Sequence, residues 1–160
     1  MSAEKYHKRQ IATDQLKTAI WLFLHGRDPA SVITLAGAAS AILHQLVHNE
    51  GKTPFVDFAR NVHNAFGGRM VPRTKYQRHI NDTLGINSLK HMSAACPDTL
   101  EIDLEKNAED AITRAIADYV PLFGQEHDFI KAYLQWAWVN RNGPQIMKDY
   151  EKIPAKLKRK

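Results

Sequence analysis

Twenty consecutive residues, Pro29 to His48, contain no Asp, Glu, Lys or Arg. The run reads PASVITLAGAASAILHQLVH, and it restricts the fold more than any other part of the chain. At about 100° per residue, Val32, Ala36, Ala39, Leu43, Leu46 and Val47 make one broad apolar face. Ile33, Gly37, Ala38 and Ala41 keep the remaining surface small and uncharged. A helix apolar on nearly every side has to be surrounded, by protein or by lipid. About 20 apolar residues are enough to cross a bilayer, but Ser31, Thr34, Ser40, His44, Gln45 and His48 interrupt this run, and no other segment resembles a span. The expectation is the central helix of a soluble bundle, its AGAASA run letting neighbours approach closely. Asp28 stands where an N-cap belongs and Pro29 at the first helical position, where a missing N–H costs nothing; Gly51 marks the stop.

The rest of the chain is punctuated in the same way. Ile11, Leu16, Ala19, Ile20, Phe23 and Leu24 predict a first helix over Glu4–His25, turned at Gly26-Arg27-Asp28-Pro29. Thr53-Pro54 repeats the cap-then-proline opening, and Phe55, Phe58, Ala59, Val62 and Phe66 give a third helix an inner stripe that ends at Gly67-Gly68. Tyr76, Ile80 and Leu84 recur every four residues and carry a helical pattern to His91, with a kink allowed at Gly85. Ser93–Glu101 reads as a loop, and Leu100, Ile102 and Leu104 alternate with acids as in a short extended piece. Ala108, Ala111, Ile112, Ala115, Ile116 and Tyr119 predict a helix over Glu105–Phe123, which Pro121 should kink or end early. A last helix, Glu126–Asn140, carries Phe129, Ile130, Tyr133, Leu134 and Val139 and stops at Asn142-Gly143-Pro144. No repeat or heptad emerges. The pattern predicts an all-α, up-and-down bundle of five to six helices, with one domain over residues 1–143 and a basic tail over 144–160.

A chain of 160 residues can bury a real core. Its net charge of +5 is unevenly placed. The tail carries Lys148, Lys152, Lys156, Lys158, Arg159 and Lys160 against Asp149 and Glu151, so the remainder is nearly neutral. Such a tail either touches nucleic acid or acidic lipid, or is a frayed solubilising end, which is the plainer reading. The single cysteine excludes an internal disulfide and fits a reducing compartment. The N-terminus MSAEKYHKRQ lacks the apolar core of a signal peptide. A cytoplasmic protein with no cofactor and no membrane partner is expected.

Several residues invite chemistry. His44 and His48, four apart on the central helix and near Glu50, have the spacing that presents two imidazoles to one metal ion. No acid falls between them and no third ligand is indicated, and two hydrogen-bonded histidines near a helix end, favoured by the helix dipole, are the plainer reading. Cys96, beside Pro97, has no base in sight and reads as a bystander. Trp136 and Trp138 lie about 200° apart on a helix, so they cannot share a face and one can be exposed; either could line a contact with a partner, and core packing is the plainer reading. Arg69, Arg73, Lys75 and Arg78 precede the next acid, Asp82, and are candidate contacts to nucleic acid. Asn87 and His91 are four apart, with Lys90 beside them. A near-neutral imidazole can take the proton of a ribose 2′-hydroxyl, and an adjacent cation can hold charge building on phosphate. That is the minimum for metal-independent RNA cleavage. The alternative is that Asn87 and His91 merely satisfy buried hydrogen bonds.

The segments QLKTAIWLFLHGRDPASVITLAGAASAIL, NSLKHM and DLEKNAEDAITRAIADYVPLFG resemble small bacterial helical proteins of the HEPN type, over roughly residues 10 to 140. The resemblance implies a homodimeric helical bundle. Active HEPN domains carry an Arg, usually followed by a polar residue such as Asn, and a His four to six positions beyond the Arg. Asn87 matches the polar residue and His91 the His, but Ile86 stands at the Arg position. Lys90 is a poor substitute where a planar fork must grip phosphate. Arg73 and His79 also fit the spacing, as a chain with eight histidines allows by chance. The resemblance therefore implies a degenerate, non-catalytic RNA-binding or interaction domain. A ribonuclease using His91, Asn87 and Lys90 is the alternative, and a metal-binding protein using His44 and His48 is a third.

Overall fold

The computed structural model describes residues 3–67, 69–92, 94 and 98–159. Among these residues it is all-α: seven α-helices, one 3-10 turn and no strand. The helices are α1 (Lys8–Leu24), α2 (Pro29–Asn49), α3 (Phe55–Gly67), α4 (Arg73–Thr83), α5 (Leu104–Phe123), α6 (Asp128–Asn140) and α7 (Gly143–Glu151). The uncharged run forms α2 almost residue for residue. The Asp28 carboxylate accepts from the amides of Ala30 and Ser31, at 3.3 and 3.0 Å, and these bonds with the Ser31 hydroxyl hold its pKa low.

Helix α2 packs along both α1 and α5, in the two most extensive contacts of the structure. Val32, Ile33, Ala36, Ala39, Leu43 and Val47 are fully buried, each of the valine, isoleucine and leucine side chains adding about 1.5–3 kcal/mol by leaving water. From α1 they meet Leu16, Ala19 and Ile20; from α5, Ala108, Ala111, Ile112 and Ala115. All six α5 residues expected to face inward do so. The small-residue run has a specific use at Gly37, where a Cβ would come within 2.8 Å of Ile86 Cγ2. Only glycine leaves room for that side chain.

The structure departs from the sequence pattern in five places. Helix α3 is peripheral: Val56 is its one buried residue, Phe55, Phe58, Ala59 and Val62 are half-buried, and Phe66 is exposed. Its start is stabilised by a residue far along the chain, because the Phe55 amide donates to Asp118 Oδ1 at 2.7 Å. The fourth helix stops at Thr83, and residues 84–90 form a hydrogen-bonded turn through Gly85, whose φ is +75°. The alternating stretch at Leu100–Leu104 makes no strand; Asp103 caps α5 instead, accepting from the Lys106 amide at 3.1 Å. Pro121 lies inside α5, which continues to Phe123. A proline so near the helix end removes one hydrogen bond, to the Ala117 carbonyl, without stopping the helix.

The fifth departure is at the C-terminus. Asn142, left-handed at φ 51°, turns the chain into a further helix, α7, within the stretch where the sequence pattern placed a basic tail. The face of Trp138 lies over Gly143, where a Cβ would fall 2.1 Å from its ring, and Trp138 is the exposed one of the two tryptophans. Trp136 packs edge-on against Phe23, 4.7 Å between ring centroids. Val139, expected inside, is exposed. Tyr133 is buried, its hydroxyl pushed up to about 12 by burial and bonded to Thr113 and to the Glu109 carbonyl.

Candidate functional site

Helix α4 buries no residue. Lys75, Arg78 and His79, spaced three and four apart, share a helix stripe and are all exposed. From Phe58 to Asn81 the chain has five cations and no acid. Arg69, just before the helix, is also exposed. Lys90 and His91, in the turn beyond α4, are exposed as well.

The turn itself divides into buried and exposed sides. Ile86, at 4% exposure, fills the notch at Gly37. The residue at the expected Arg position is thus a core residue, and a guanidinium there would be driven into the interior. The Asn87 amide is engaged, donating to Asp82 Oδ1 at 2.8 Å. The backbone bonds from Leu89 N to Gly85 O and from His91 N to Asn87 O, at 3.0 and 3.1 Å, make this segment one helical turn. His91 is not among the buried polar groups, so the expectation that it satisfies a buried hydrogen bond fails for it.

Beneath α4 lies a cluster of charged side chains that sequence patterning missed. Arg73, the first residue of α4, directs Nη2 to His44 Nε2 at 2.9 Å and holds Nε 2.7 Å from Asp57 Oδ1 on α3. An arginine only donates, so Nε2 of His44 accepts and the ring is neutral. Burial pushes the His44 pKa down, with Asp118 opposing and Arg73 reinforcing the shift. Arg114 of α5, 5% exposed, donates to Asn81 Oδ1 at 2.6 Å. Asp118, one turn further along α5 and 1% exposed, accepts from Phe55 N and from Arg159 Nη2. Burial raises its pKa, and those partners oppose the rise. Ser40 Oγ, His44 Nδ1 and Arg114 Nε are buried without a hydrogen-bond partner among the described residues. Only the four-residue spacing of Ser40 and His44, and of Arg114 and Asp118, hinted that these faces would meet across α2 and α5.

The remaining candidates separate. His44 and His48 do not form a pair: His44 is buried against a guanidinium that occupies the lone pair a metal would need, whereas His48 is exposed. Among the described residues no group of three His, Cys, Asp or Glu side chains is placed to hold a metal ion. Of the four basic candidates, Arg69, Lys75 and Arg78 face solvent and Arg73 is tied to Asp57 and His44. Cys96 and Pro97 lie outside the described residues. Compared with protein-family models, with curated proteins and with solved structures, the chain finds no match.

Proposed function

We propose that this protein is a HEPN-like, non-catalytic RNA-binding module, working as a homodimer in the cytoplasm through the cationic face of α4. The observation that carries the reading is a helix that buries no residue fully and turns Lys75, Arg78 and His79 outward, with no ion pair to Lys75 or Arg78 among the described residues. Lys90, exposed in the turn beyond α4, extends the positive character past the helix end. Phosphate contacts of this kind give affinity with little sequence preference and a steep dependence on salt. Catalysis is disfavoured by two side chains already committed elsewhere. Ile86 belongs to the core, and the Asn87 amide is held by Asp82.

Fluorescence anisotropy with a labelled single-stranded RNA, over a range of salt concentrations, tests the binding. Lys75→Glu with Arg78→Glu weakens affinity at least tenfold and lowers the slope of log affinity against log salt, each lost phosphate contact removing about 0.7 from the slope. Unchanged binding in that variant would sink the reading. The same RNA incubated in EDTA stays intact; cleavage that His91→Ala abolishes would establish the ribonuclease instead. Light scattering over a range of concentrations reads the dimer, and a monomer throughout would remove that part.

A further inference from the structure

Arg159 is the last described residue, yet its side chain is only 17% exposed. Its guanidinium meets three acceptors from two separate parts of the fold. Nε donates to the Thr53 carbonyl at 3.0 Å, Nη1 to the Ala117 carbonyl, and Nη2 to Asp118 Oδ1 at 2.8 Å. These acceptors would be present whatever the C-terminal arm did. Pro121, which has no N–H, leaves the carbonyl four residues before it, that of Ala117, without its helical donor. Thr53 lies just ahead of α3, so its carbonyl stands outside the helix ladder. Asp118 is buried and retains only the Phe55 amide as another hydrogen-bond partner among the described residues. Two carbonyls and a carboxylate thus converge on a planar group with five donors, an arrangement that an ammonium could satisfy only in part.

The arm that delivers Arg159, residues 152–159, otherwise meets the fold by packing, its 3-10 turn Ala155–Leu157 lying against α3. Its backbone bonds are local: Ile153 N to Tyr150 O, Leu157 N to Pro154 O and Lys158 N to Ala155 O. Lys158 rests over the Tyr150 ring of α7, 4.8 Å from its centre. Among the described residues, Arg159 makes every hydrogen bond from the arm to α2–α5 and their connections. Beside it is a cleft of about 410 Å³ lined by Lys52, Lys156, Lys158 and Arg159; Lys52 is paired with Glu50 and Arg159 with Asp118, which leaves the charges of Lys156 and Lys158 on the arm itself. A polyanion is drawn to that concentration of charge.

We propose that Thr53, Ala117 and Asp118 form a socket for a guanidinium group, filled by Arg159 of the chain's own arm and vacated when a polyanion draws the arm away. One oxygen, Asp118 Oδ1, serves both Arg159 and the first amide of α3, so emptying the socket loosens the start of α3. The arm is then a latch on the helix pair that carries the cationic face. The socket and its release follow from the contacts of Arg159 and the charge of the arm, and do not depend on RNA being the ligand of α4.

Chemical rescue of the full-length Arg159→Ala variant tests the socket. The variant melts several degrees below the wild type. Ethylguanidinium restores part of the loss in a saturable way, whereas ethylammonium at equal ionic strength does not, and Asp118→Asn combined with Arg159→Ala responds to neither. No loss of melting temperature, or equal responses to the two cations, would overturn the socket. If Arg159→Ala fails to fold, Arg159→Lys is read instead; it melts below the wild type, and wild-type behaviour would rule out recognition of a guanidinium fork. Hydrogen exchange tests release, with inorganic polyphosphate as the polyanion. The Phe55 amide exchanges at least tenfold faster in Arg159→Ala and accelerates when polyphosphate is added to the wild type. A Phe55 amide indifferent to polyphosphate would overturn the latch and leave the socket to the rescue experiment.

Discussion

The α2 seam and the α4 side of this protein are held in place by different physics. Along α2, apolar side chains from α1 and α5 close over an uncharged surface, and the contact is continuous. On the α4 side the helix has no buried residue, and its side-chain hydrogen bonds and charge contacts are few and directional: Arg73 to His44 and Asp57, Asn81 to Arg114, and the Thr83 carbonyl to the Asn107 amide. The first arrangement tolerates small shifts, because dispersion and exclusion of water depend weakly on angle. The second is demanding, because a buried donor or acceptor that loses its partner costs about 1–3 kcal/mol. A rigid seam thus carries a more loosely attached helix, and that helix bears the exposed cations.

Substitutions can break this comparison at either end. Leu43→Ala, in the middle of the seam, destabilises by about 2–5 kcal/mol in urea unfolding; a loss below 1 kcal/mol would mean the seam is not the main source of stability. Gly37→Ala forces its new methyl against Ile86 and costs about 1–3 kcal/mol. Combined with Ile86→Ala, which removes the atoms that methyl would meet, the two losses are less than additive; purely additive losses would show that the two side chains do not meet.

The α4 side predicts a dependence on pH. Burial lowers the pKa of His44, so below the usual histidine value of about 6.5 the unfolded chain takes up a proton that the folded chain refuses. Stability therefore falls as the pH drops from 7 towards 5, and His44→Gln flattens that slope. Asp118 acts in the opposite sense. Its raised pKa lets the folded carboxyl keep a proton that the unfolded one has released, which favours the fold on acidification between about 3.9 and the raised value. If His44→Gln leaves the 7-to-5 slope unchanged, the histidine is not buried neutral. The smallest effect is expected on the outside of α3, where Phe66→Ala changes stability by about 0.5 kcal/mol or less. A large loss there would place Phe66 in an interface, of the kind the proposed homodimer requires.

The route from sequence to site was uneven for identifiable reasons. The boundaries of α2 and the inner face of α5 were legible because capping, proline placement and 3.6-residue periodicity are local signals that the tertiary fold reinforced. Helix α3 misled because its apolar stripe had the right period, yet only Val56 is fully enclosed. The exposed cations Arg69, Lys75 and Arg78 were legible as a run without acids, whereas the inward turn of Arg73 was not. Its partners, His44 and Asp57, lie 29 and 16 positions earlier in the chain.

The sequence by itself determined that this protein is helical and that an uncharged helix lies at its centre, because a surface with no charge must be covered by apolar neighbours. It also determined that Gly37 leaves space for something, though not that Ile86 would enter it. Only the tertiary structure decided which charges are inside. Glu109, Arg114 and Asp118 share α5 with its apolar face, and whether such groups can be buried depends on partners that folding brings from elsewhere: Arg141 to Glu109, Asn81 to Arg114, and Arg159 to Asp118. Periodicity is encoded within a few turns of helix, whereas compensation of a buried charge depends on where distant segments come to rest.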